Sequence, residues 1–251
     1  MRNLILLIII LVNSSCFCQV SSTTAMRCGS NDKKANEYFQ AANFALMTNK
    51  LNEARALFIA ATRIDSTFCD AWDNLSVVCR RLGQLKDAFI AGLYSLGIDS
   101  TNTIAWSNCG YAAFLSNDSK TAITSFDNMQ RIIPNDPEGY YGKSLVLYSI
   151  DSISDARINI YKAIEKYNLG NTKIGKEVDL LRGFIEYKYG NKIEAQSIFR
   201  RVYPKFKDNP ELNYFLGICL LENDNNKEKS DIYIKKAIQL GYEIENQSPD
   251  K

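Results

Sequence analysis

The sequence predicts an all-α fold, an α-solenoid of about six stacked helix-turn-helix repeats, because it returns to itself every 34 residues. With the register set at Ala35, Cys69, Thr103 and Pro137, the same slots keep receiving the same kinds of side chain. A fixed period of this length indicates supersecondary units that stack on one another. Slot four is aromatic, slot eight is small and slot twenty is alanine: Tyr38, Trp72, Trp106, Tyr140; Ala42, Ser76, Gly110, Ser144; Ala54, Ala88, Ala122, Ala156.

Each repeat contains two helical patterns joined by a short polar turn. In the first repeat, apolar residues recur at three- and four-residue steps from Tyr38 to Ala45 and again from Ala54 to Ala61. The turn between them is so short that the two helices must lie antiparallel. One hairpin cannot bury both of its faces, so neighbours must stack. Prolines are expected only at the junctions between repeats, where they break no helix: Pro134, Pro137, Pro204 and Pro210.

These slots resemble the tetratricopeptide repeat (TPR). The third repeat matches that pattern well, with Trp106, Gly110, Ala122, Phe126 and Pro134 in the expected places. The second repeat departs from it, because glycine stands at residue 92 where a large aromatic side chain is usual. The resemblance implies that the first helices of successive repeats line a concave groove that binds a protein or peptide.

The later repeats follow after a slip of five residues in the register. Beyond Asn168 the pattern resumes at Lys176, and the segment from about 169 to 175 is predicted to be a lengthened surface turn. In the sixth repeat Lys229 and Ser230 replace the usual alanine. The predicted repeats are 35–68, 69–102, 103–136, 137–170, 176–209 and 210–241, followed by a polar tail at 242–251.

The amino-terminal residues predict export. Arg2 precedes nine consecutive apolar residues, Leu4 to Val12, too few for the roughly 20 that cross a bilayer as a helix. Residues 1–18 are therefore predicted to be a signal peptide, and residues 19–34 a flexible leader. Two processing routes stay open: cleavage before Gln19, or a lipoprotein signal with acylation of Cys16. The expected location is the periplasm, the outer membrane surface or the medium.

The cysteines do not predict a disulfide framework. Removal of residues 1–18 leaves five cysteines, an odd number. Cys79 and Cys109 fall at inward slots of adjacent repeats and are expected to be buried as small apolar residues, although a bridge between them is an alternative. Cys28 lies in the leader and is expected to be free.

The composition argues against an enzyme, a cofactor, a metal site and nucleic-acid binding. The chain has no histidine, which removes the usual general base and the commonest metal ligand. No glycine-rich phosphate loop is present. With 30 basic and 28 acidic residues the net charge is +2, which gives no long-range field that would attract nucleic acid. No catalytic residue is predicted.

The resemblance also implies which residues face the groove. These residues become increasingly aromatic from the third repeat onward, and an exposed tyrosine-rich stripe is typical of a binding surface. The alternative is that tight curvature buries the rings against neighbouring repeats. The predicted groove residues are Phe39, Asn43, Met47, Arg80, Arg81, Tyr111, Phe114, Tyr141, Tyr148, Phe184, Tyr187 and Tyr214.

One branch of the family grips a terminal carboxylate with lysine, asparagine and arginine side chains. The matching positions here are Phe39, Asn43, Asn74, Ile104 and Asn108, so every cation is missing. We therefore expect a scaffold of the cell envelope that binds an extended or helical segment of a protein partner by apolar contact, with Arg80, Arg81 and Lys188 orienting it. The alternatives are a structural subunit whose groove is filled within its own complex or by a second copy, and a lipoprotein that assists outer-membrane assembly.

Overall fold

The computed structural model describes residues 28–244, which form twelve α-helices and, within that range, no β-strand. Residues 1–27, which include the predicted signal segment and Cys16, lie outside the described residues, as do residues 245–251. The helices are α1 Lys33–Met47, α2 Leu51–Ile64, α3 Cys69–Arg81, α4 Leu85–Ile98, α5 Thr103–Leu115, α6 Ser119–Ile132, α7 Pro137–Ser149, α8 Ile153–Leu169, α9 Lys176–Tyr189, α10 Lys192–Phe206, α11 Pro210–Asp224 and α12 Lys227–Gln239. Consecutive helices pack as hairpins in five places, α1 with α2, α3 with α4, α5 with α6, α9 with α10 and α11 with α12, which confirms the predicted fold class.

The described residues form two compact units, and the boundary between them falls within α7. The amino-terminal unit extends to Val146, and the carboxy-terminal unit begins at Leu147. In the first unit, consecutive helices from α1 to α6 pack against one another; in the second, the same holds from α8 to α12. The lengthened turn lies where the register slip predicts it, since α8 ends at Leu169 and α9 begins at Lys176.

Each hairpin turns at a residue in the left-handed backbone region. The residue at slot fifteen has a positive φ in the first five repeats, and in the sixth repeat Asn225 does so one position later. Glycine, asparagine and aspartate reach this region at the lowest cost, and a residue there ends a helix. The five slot-fifteen residues are Asn49, Gly83, Asn117, Asp151 and Gly190.

Close approach of the paired helices explains the small residues of slots eight and twenty. A Cβ atom on Gly110 would lie 2.8 Å from Phe126, and one on Gly183 would lie 2.6 Å from Phe199. The phenylalanine of the second helix therefore occupies the space that a side chain at slot eight would need. The slot-twenty alanines are fully buried on the second helix: Ala54, Ala88, Ala122, Ala156 and Ala195.

The departures from the repeat pattern have local explanations. A Cβ atom on Gly92 would lie 2.6 Å from the Cys109 sulfur, so the thiol fills the space that a larger residue at 92 would occupy. Cys79 and Cys109 are both free and buried, as expected, and burial raises the pKa of the Cys109 thiol to about 12. In the sixth repeat Ser230 is buried, whereas Lys229 is exposed.

The last residues of the predicted leader are tied to the second repeat, contrary to expectation. Cys28 is not free but forms a disulfide with Cys69, the first residue of α3, with Cα atoms 5.6 Å apart. Ser30 donates a hydrogen bond to Asp65, and Asp32 caps α1 by accepting a hydrogen bond from the amide of Ala35 at 2.8 Å. Sequence spacing could not show this pairing, because residues 28 and 69 lie 41 positions apart in the chain.

One further prediction is wrong in detail. Pro204 lies inside α10 rather than at a junction. It costs α10 one backbone hydrogen bond, because proline has no amide hydrogen, and only two residues of the helix follow it. Tyr242, the first residue of the predicted polar tail, stacks its ring on that of Tyr214 with centroids 4.2 Å apart.

The Cys28–Cys69 disulfide is predicted to stabilise the amino-terminal unit. Closing a loop of this length restricts the unfolded chain, which contributes about 4 kcal/mol in the chain-entropy description. Cys28→Ser is therefore expected to lower the free energy of unfolding by roughly 2–4 kcal/mol, measured by urea denaturation. Reducing agent should destabilise the wild type but not Cys28→Ser. Complete alkylation of Cys69 in the unreduced wild type would contradict the pairing.

Candidate functional site

In the amino-terminal unit most of the predicted groove residues are buried, which corrects the expected exposed stripe there. Phe39 belongs to the core, since its ring lies 4.7 Å from that of Phe68 and 5.8 Å from that of Phe58. Tyr111 and Phe114 are buried, and the ring of Tyr111 meets that of Phe126 edge to face at 5.2 Å. Tyr141 is buried as well.

Of the predicted groove residues without an aromatic ring in this unit, only some are exposed. Arg80 is buried with its guanidinium 5.6 Å from the Tyr111 ring centroid, so it does not stand at an exposed edge. Arg81 is exposed and donates a hydrogen bond to the Asn49 side chain at 2.8 Å. Met47 is 70% exposed, and Asn43 is half-buried.

The asparagines at the clamp positions bond within the chain. The Asn74 amide donates to the Asn43 side-chain oxygen at 3.0 Å, and the Asn108 amide donates to the backbone oxygen of Asp73 at 3.1 Å. Asn102 lies beside them and donates to the Asp73 carboxylate at 2.7 Å. These side chains thus join the first helices of consecutive repeats. They are engaged in contacts within the chain, and the cations that accompany them in the carboxylate-binding branch are missing from the matching positions.

In the carboxy-terminal unit the structure brings four predicted residues into one continuous aromatic cluster. We define this aromatic cluster as Tyr148, Phe184, Tyr187, Tyr214, Phe215 and Tyr242. Phe215 joins its members: the ring centroids of Phe184, Tyr187 and Tyr214 lie 5.6, 4.5 and 5.5 Å from it. The ring of Tyr148 stacks on that of Phe184 at 6.3 Å.

The aromatic cluster has a buried floor and a half-buried rim. Tyr148 and Phe184 are 2% and 0% exposed, which corrects their predicted place in an exposed stripe. Phe184 is covered by Phe199 and Phe215. Tyr187, Tyr214, Phe215 and Tyr242 are half-buried and form the rim. Of the predicted tyrosines, therefore, only Tyr187 and Tyr214 keep a surface that a partner can reach.

A buried carboxylate lies at the floor of the aromatic cluster. Glu211 is 6% exposed and stands in the first turn of α11, where the positive end of the helix dipole favours an acidic residue. Its Oε1 accepts a hydrogen bond from the Tyr148 hydroxyl at 3.2 Å. Its Oε2 is buried and receives no hydrogen bond from any described residue.

Burial dominates the electrostatics of this carboxylate. It raises the pKa of Glu211 to about 7, while the hydrogen bond from Tyr148 and the positive charge of Lys188 lower it by less. Lys188 is itself paired with Asp151 at 2.6 Å, and its ammonium lies 5.3 Å from the Tyr148 ring centroid. Burial, followed by the charge of Glu211, raises the pKa of Tyr148 well above its ordinary value, so Tyr148 stays a neutral donor.

Sequence reasoning missed Glu211, Phe215 and Tyr242. The resemblance assigns slots two, five, nine, twelve and thirteen of each repeat to the groove. Glu211 occupies slot two of the sixth repeat, and this is the signal that could have found it. Phe215 occupies slot six, which is outside that set. Tyr242 follows the last helix, where no repeat pattern applies.

One group of potential metal ligands lies in the amino-terminal unit. Cys28, Cys69 and Asp70 place one ligand atom each within 4.8 Å of one another. The two sulfur atoms are joined in the disulfide, however, and it is the thiolate that binds metal. This group therefore does not offer a ligand set while the disulfide is formed. Within residues 28–244, no helix is both long and apolar enough to cross a bilayer.

Comparison with solved structures identifies the fold. YrrB, a TPR protein described as having an unusual peptide-binding site, aligns with a TM-score of 0.54 at 20% identity, over 73% of this chain and 92% of YrrB. PilF from Pseudomonas aeruginosa aligns with a TM-score of 0.70 at 18% identity, over 84% of this chain and 93% of PilF. A TPR protein from Parabacteroides merdae gives 0.59 at 17% identity, over 84% and 94% of the two chains.

The protein thus has the fold of the TPR proteins, as the sequence predicts. No protein-family model and no curated protein sequence matches the chain. At sequence identities of 17–20%, the structural likeness establishes the fold alone.

The buried carboxylate predicts an unusual pH dependence of stability. The pKa of Glu211 is about 7 when folded against an ordinary value of 4.5, so the folded state binds the proton more tightly. Stability should therefore fall as the pH rises from about 4.5 through about 7. Glu211→Gln removes this loss and keeps an acceptor for the Tyr148 hydroxyl. Relative to the wild type, the free energy of unfolding of this variant should be higher by on the order of 3 kcal/mol at pH 8 and almost unchanged at pH 4.

Urea denaturation at several pH values measures this difference. Glu177→Gln is the matched control, because Glu177 holds the same slot in the fifth repeat but accepts a hydrogen bond from Lys205. That control should show no gain at pH 8. A difference between Glu211→Gln and the wild type that is constant from pH 4 to pH 8 would contradict the raised pKa.

Proposed function

We propose that this protein is a non-enzymatic interaction scaffold of the cell envelope and that it binds an extended or helical segment of a partner at the aromatic cluster. The observation that carries the proposal is the combination of half-buried tyrosines, Tyr187 and Tyr214, with a floor of buried rings. Tyrosine is enriched in binding sites because it offers a large rigid surface and a polar end. YrrB, with the same fold, is described as having a peptide-binding site.

The polar groups beside the rim would orient the segment. Lys188 and Asp151 form an ion pair next to Tyr148, and Lys192 pairs with Glu222 at 2.9 Å near Tyr187. Both pairs are partly exposed, so they contribute little to stability and are free to exchange partners at low cost. Lys188 keeps the orienting role that the sequence predicts, whereas burial removes Arg80 from it.

Two observations support export. The amino-terminal sequence has the charge and apolar run of a signal segment. The Cys28–Cys69 disulfide is a bond that forms and persists in oxidising compartments and is rare in the cytosol. Acylation at Cys16 and cleavage before Gln19 are both compatible with this proposal.

Site-specific photocrosslinking tests the position of the partner. With p-benzoylphenylalanine at position 187, we expect a covalent adduct of discrete mass in the native host. With the probe at position 158, where Ile158 is exposed on α8, a helix that contributes no ring to the aromatic cluster, we expect none. Adding Tyr214→Ala should reduce the yield at position 187 at least about fivefold, because truncating an interface tyrosine costs about 1 kcal/mol or more.

The readout is the ratio of adduct yields at the two positions by mass spectrometry. Circular dichroism of each variant checks that the helices are retained. Equal yields at positions 187 and 158, or a yield at 187 that Tyr214→Ala leaves unchanged, would exclude the aromatic cluster as the binding site.

A second candidate function, a structural subunit that associates with a copy of itself, is favoured by the outer face of α4. Ile90, Leu93, Tyr94 and Ile98 are 38–56% exposed and recur at helical spacing. No charged residue follows Asp87 on this helix. Three of the four matching slots of α6 carry polar side chains instead, Thr124, Asp127 and Asn128, and the fourth holds Ile132. A contiguous exposed apolar face commonly marks an interaction surface.

Light scattering over a micromolar concentration range tests the structural-subunit candidate. If α4 mediates self-association, the wild type forms dimers, and Ile90→Glu with Leu93→Glu returns it to a monomer by placing charges in the interface. Thr124→Glu is the matched control, because Thr124 occupies the slot of Ile90 on α6, and it should leave the dimer intact. A wild type that stays monomeric throughout would exclude this candidate.

A further inference from the structure

We infer that the aromatic cluster binds the ammonium group of a lysine side chain of the partner, with Glu211 as its acceptor. This inference rests on the proposed function, because it names the group that the bound segment would contribute. The juxtaposition that carries it is a buried carboxylate with one unused oxygen below a rim of aromatic rings.

Among the described residues, one cation acts on the Glu211 carboxylate. This cation is Lys188, and it is already paired with Asp151 at 2.6 Å. Glu211 takes part in no salt bridge with a described residue, and its one described hydrogen bond comes from the neutral Tyr148 hydroxyl. A buried charge is costly unless it is paired, so an occupant that brings a positive charge is complementary to this site.

The hydrogen bonds already made by the Glu211 carboxylate favour lysine over arginine as the incoming group. Oε1 accepts the hydrogen bond of Tyr148, and Oε2 has no donor among residues 28–244. A guanidinium binds a carboxylate best with two parallel hydrogen bonds, which need both oxygens. An ammonium is a compact charge that one oxygen can accept, and its carbon chain can lie along the rings.

The rings suit the same cation. Aromatic faces attract an ammonium within about 6 Å of the ring centroid. This unit already uses such contacts, with Lys188 5.3 Å from the Tyr148 centroid and Lys192 5.8 Å from the Tyr187 centroid. An incoming lysine would therefore meet both a carboxylate and π faces. Glu211 lies three residues before Tyr214 on α11, so the two share one face of the helix, and Tyr214 is a half-buried residue of the rim.

Binding should depend on pH, because the acceptor must be ionised. The described groups that act on Glu211 are Tyr148 near the end of α7 and Lys188 on α9, and Asp151 and Tyr242 act in turn on Tyr148. Burial raises the pKa of Glu211 to about 7, so about ten times more of it is ionised at pH 8 than at pH 6. Affinity should therefore be about tenfold weaker at pH 6 than at pH 8.

Selection from a phage-displayed library of random dodecapeptides tests the inference on the full chain. Peptides are selected in parallel on the wild type and on Glu211→Gln, and their affinities are measured by fluorescence anisotropy at pH 6 and pH 8. We expect wild-type peptides to share one lysine among apolar residues. Replacing that lysine by methionine, or Glu211 by glutamine, should weaken binding at least about tenfold.

Two controls keep the outcomes distinct. Glu177→Gln, in the same slot of the fifth repeat, should bind the selected peptides as the wild type does. Tyr187→Ala with Tyr214→Ala should abolish their binding, which shows that they occupy the aromatic cluster. Urea denaturation at pH 8 establishes that Glu211→Gln remains folded.

Each remaining outcome overturns a different statement. Peptides that need Tyr187 and Tyr214 but lack a lysine, or that bind Glu211→Gln as well as the wild type, overturn the inference and leave the proposed function standing. A selection that yields no peptide dependent on Tyr187 and Tyr214 overturns the proposed binding site and the inference with it.

Discussion

The close approach of the two helices in each hairpin is the constraint on which the rest of the structure depends. Phe126 and Phe199 point from the second helix into the space beside Gly110 and Gly183 on the first, and no side chain fits between them. A small residue at slot eight is therefore the condition for the hairpin to close. Once it closes, the first helix has a second face left to bury, and burying it requires the next repeat. The repeat period, the stacking and the ordered inner residues all follow from that contact.

The fold could be predicted from the sequence because each contact that defines it is local. Gly110 meets a residue of its own repeat, and Asn117 ends a helix only two residues before the next one begins, so both signals recur with the period. The Cys28–Cys69 pairing could not be predicted in this way, because one partner precedes the first repeat. The same is true of Tyr242, whose position against Tyr214 depends on where the chain goes after the last helix.

The candidate site was predictable in position but not in exposure. A slot number states which way a residue points from its own helix, and Tyr148, Phe184, Tyr187 and Tyr214 do meet in one cluster. Exposure depends instead on what the neighbouring helices place opposite. Phe184 meets Phe199 and Phe215 and is sealed, whereas Tyr187 meets Phe215 with one side and keeps a reachable edge. Packing between rings thus divides one predicted stripe into a floor and a rim.

Glu211 shows why such a floor matters for binding. A carboxylate held in water has its oxygens solvated, and a partner must displace that water before it gains anything. The Glu211 carboxylate has already lost its water on folding, and Tyr148 fixes one oxygen and leaves the other without a donor from the described residues. The cost of desolvating the acceptor is therefore met by the folding of the hairpin stack, before any partner arrives. A cation that reaches Oε2 gains an interaction in a low-dielectric surrounding, where it is stronger than at the surface. In this way the packing that hides most of the tyrosines also holds, already desolvated, the carboxylate that we infer to be the acceptor for a partner's lysine.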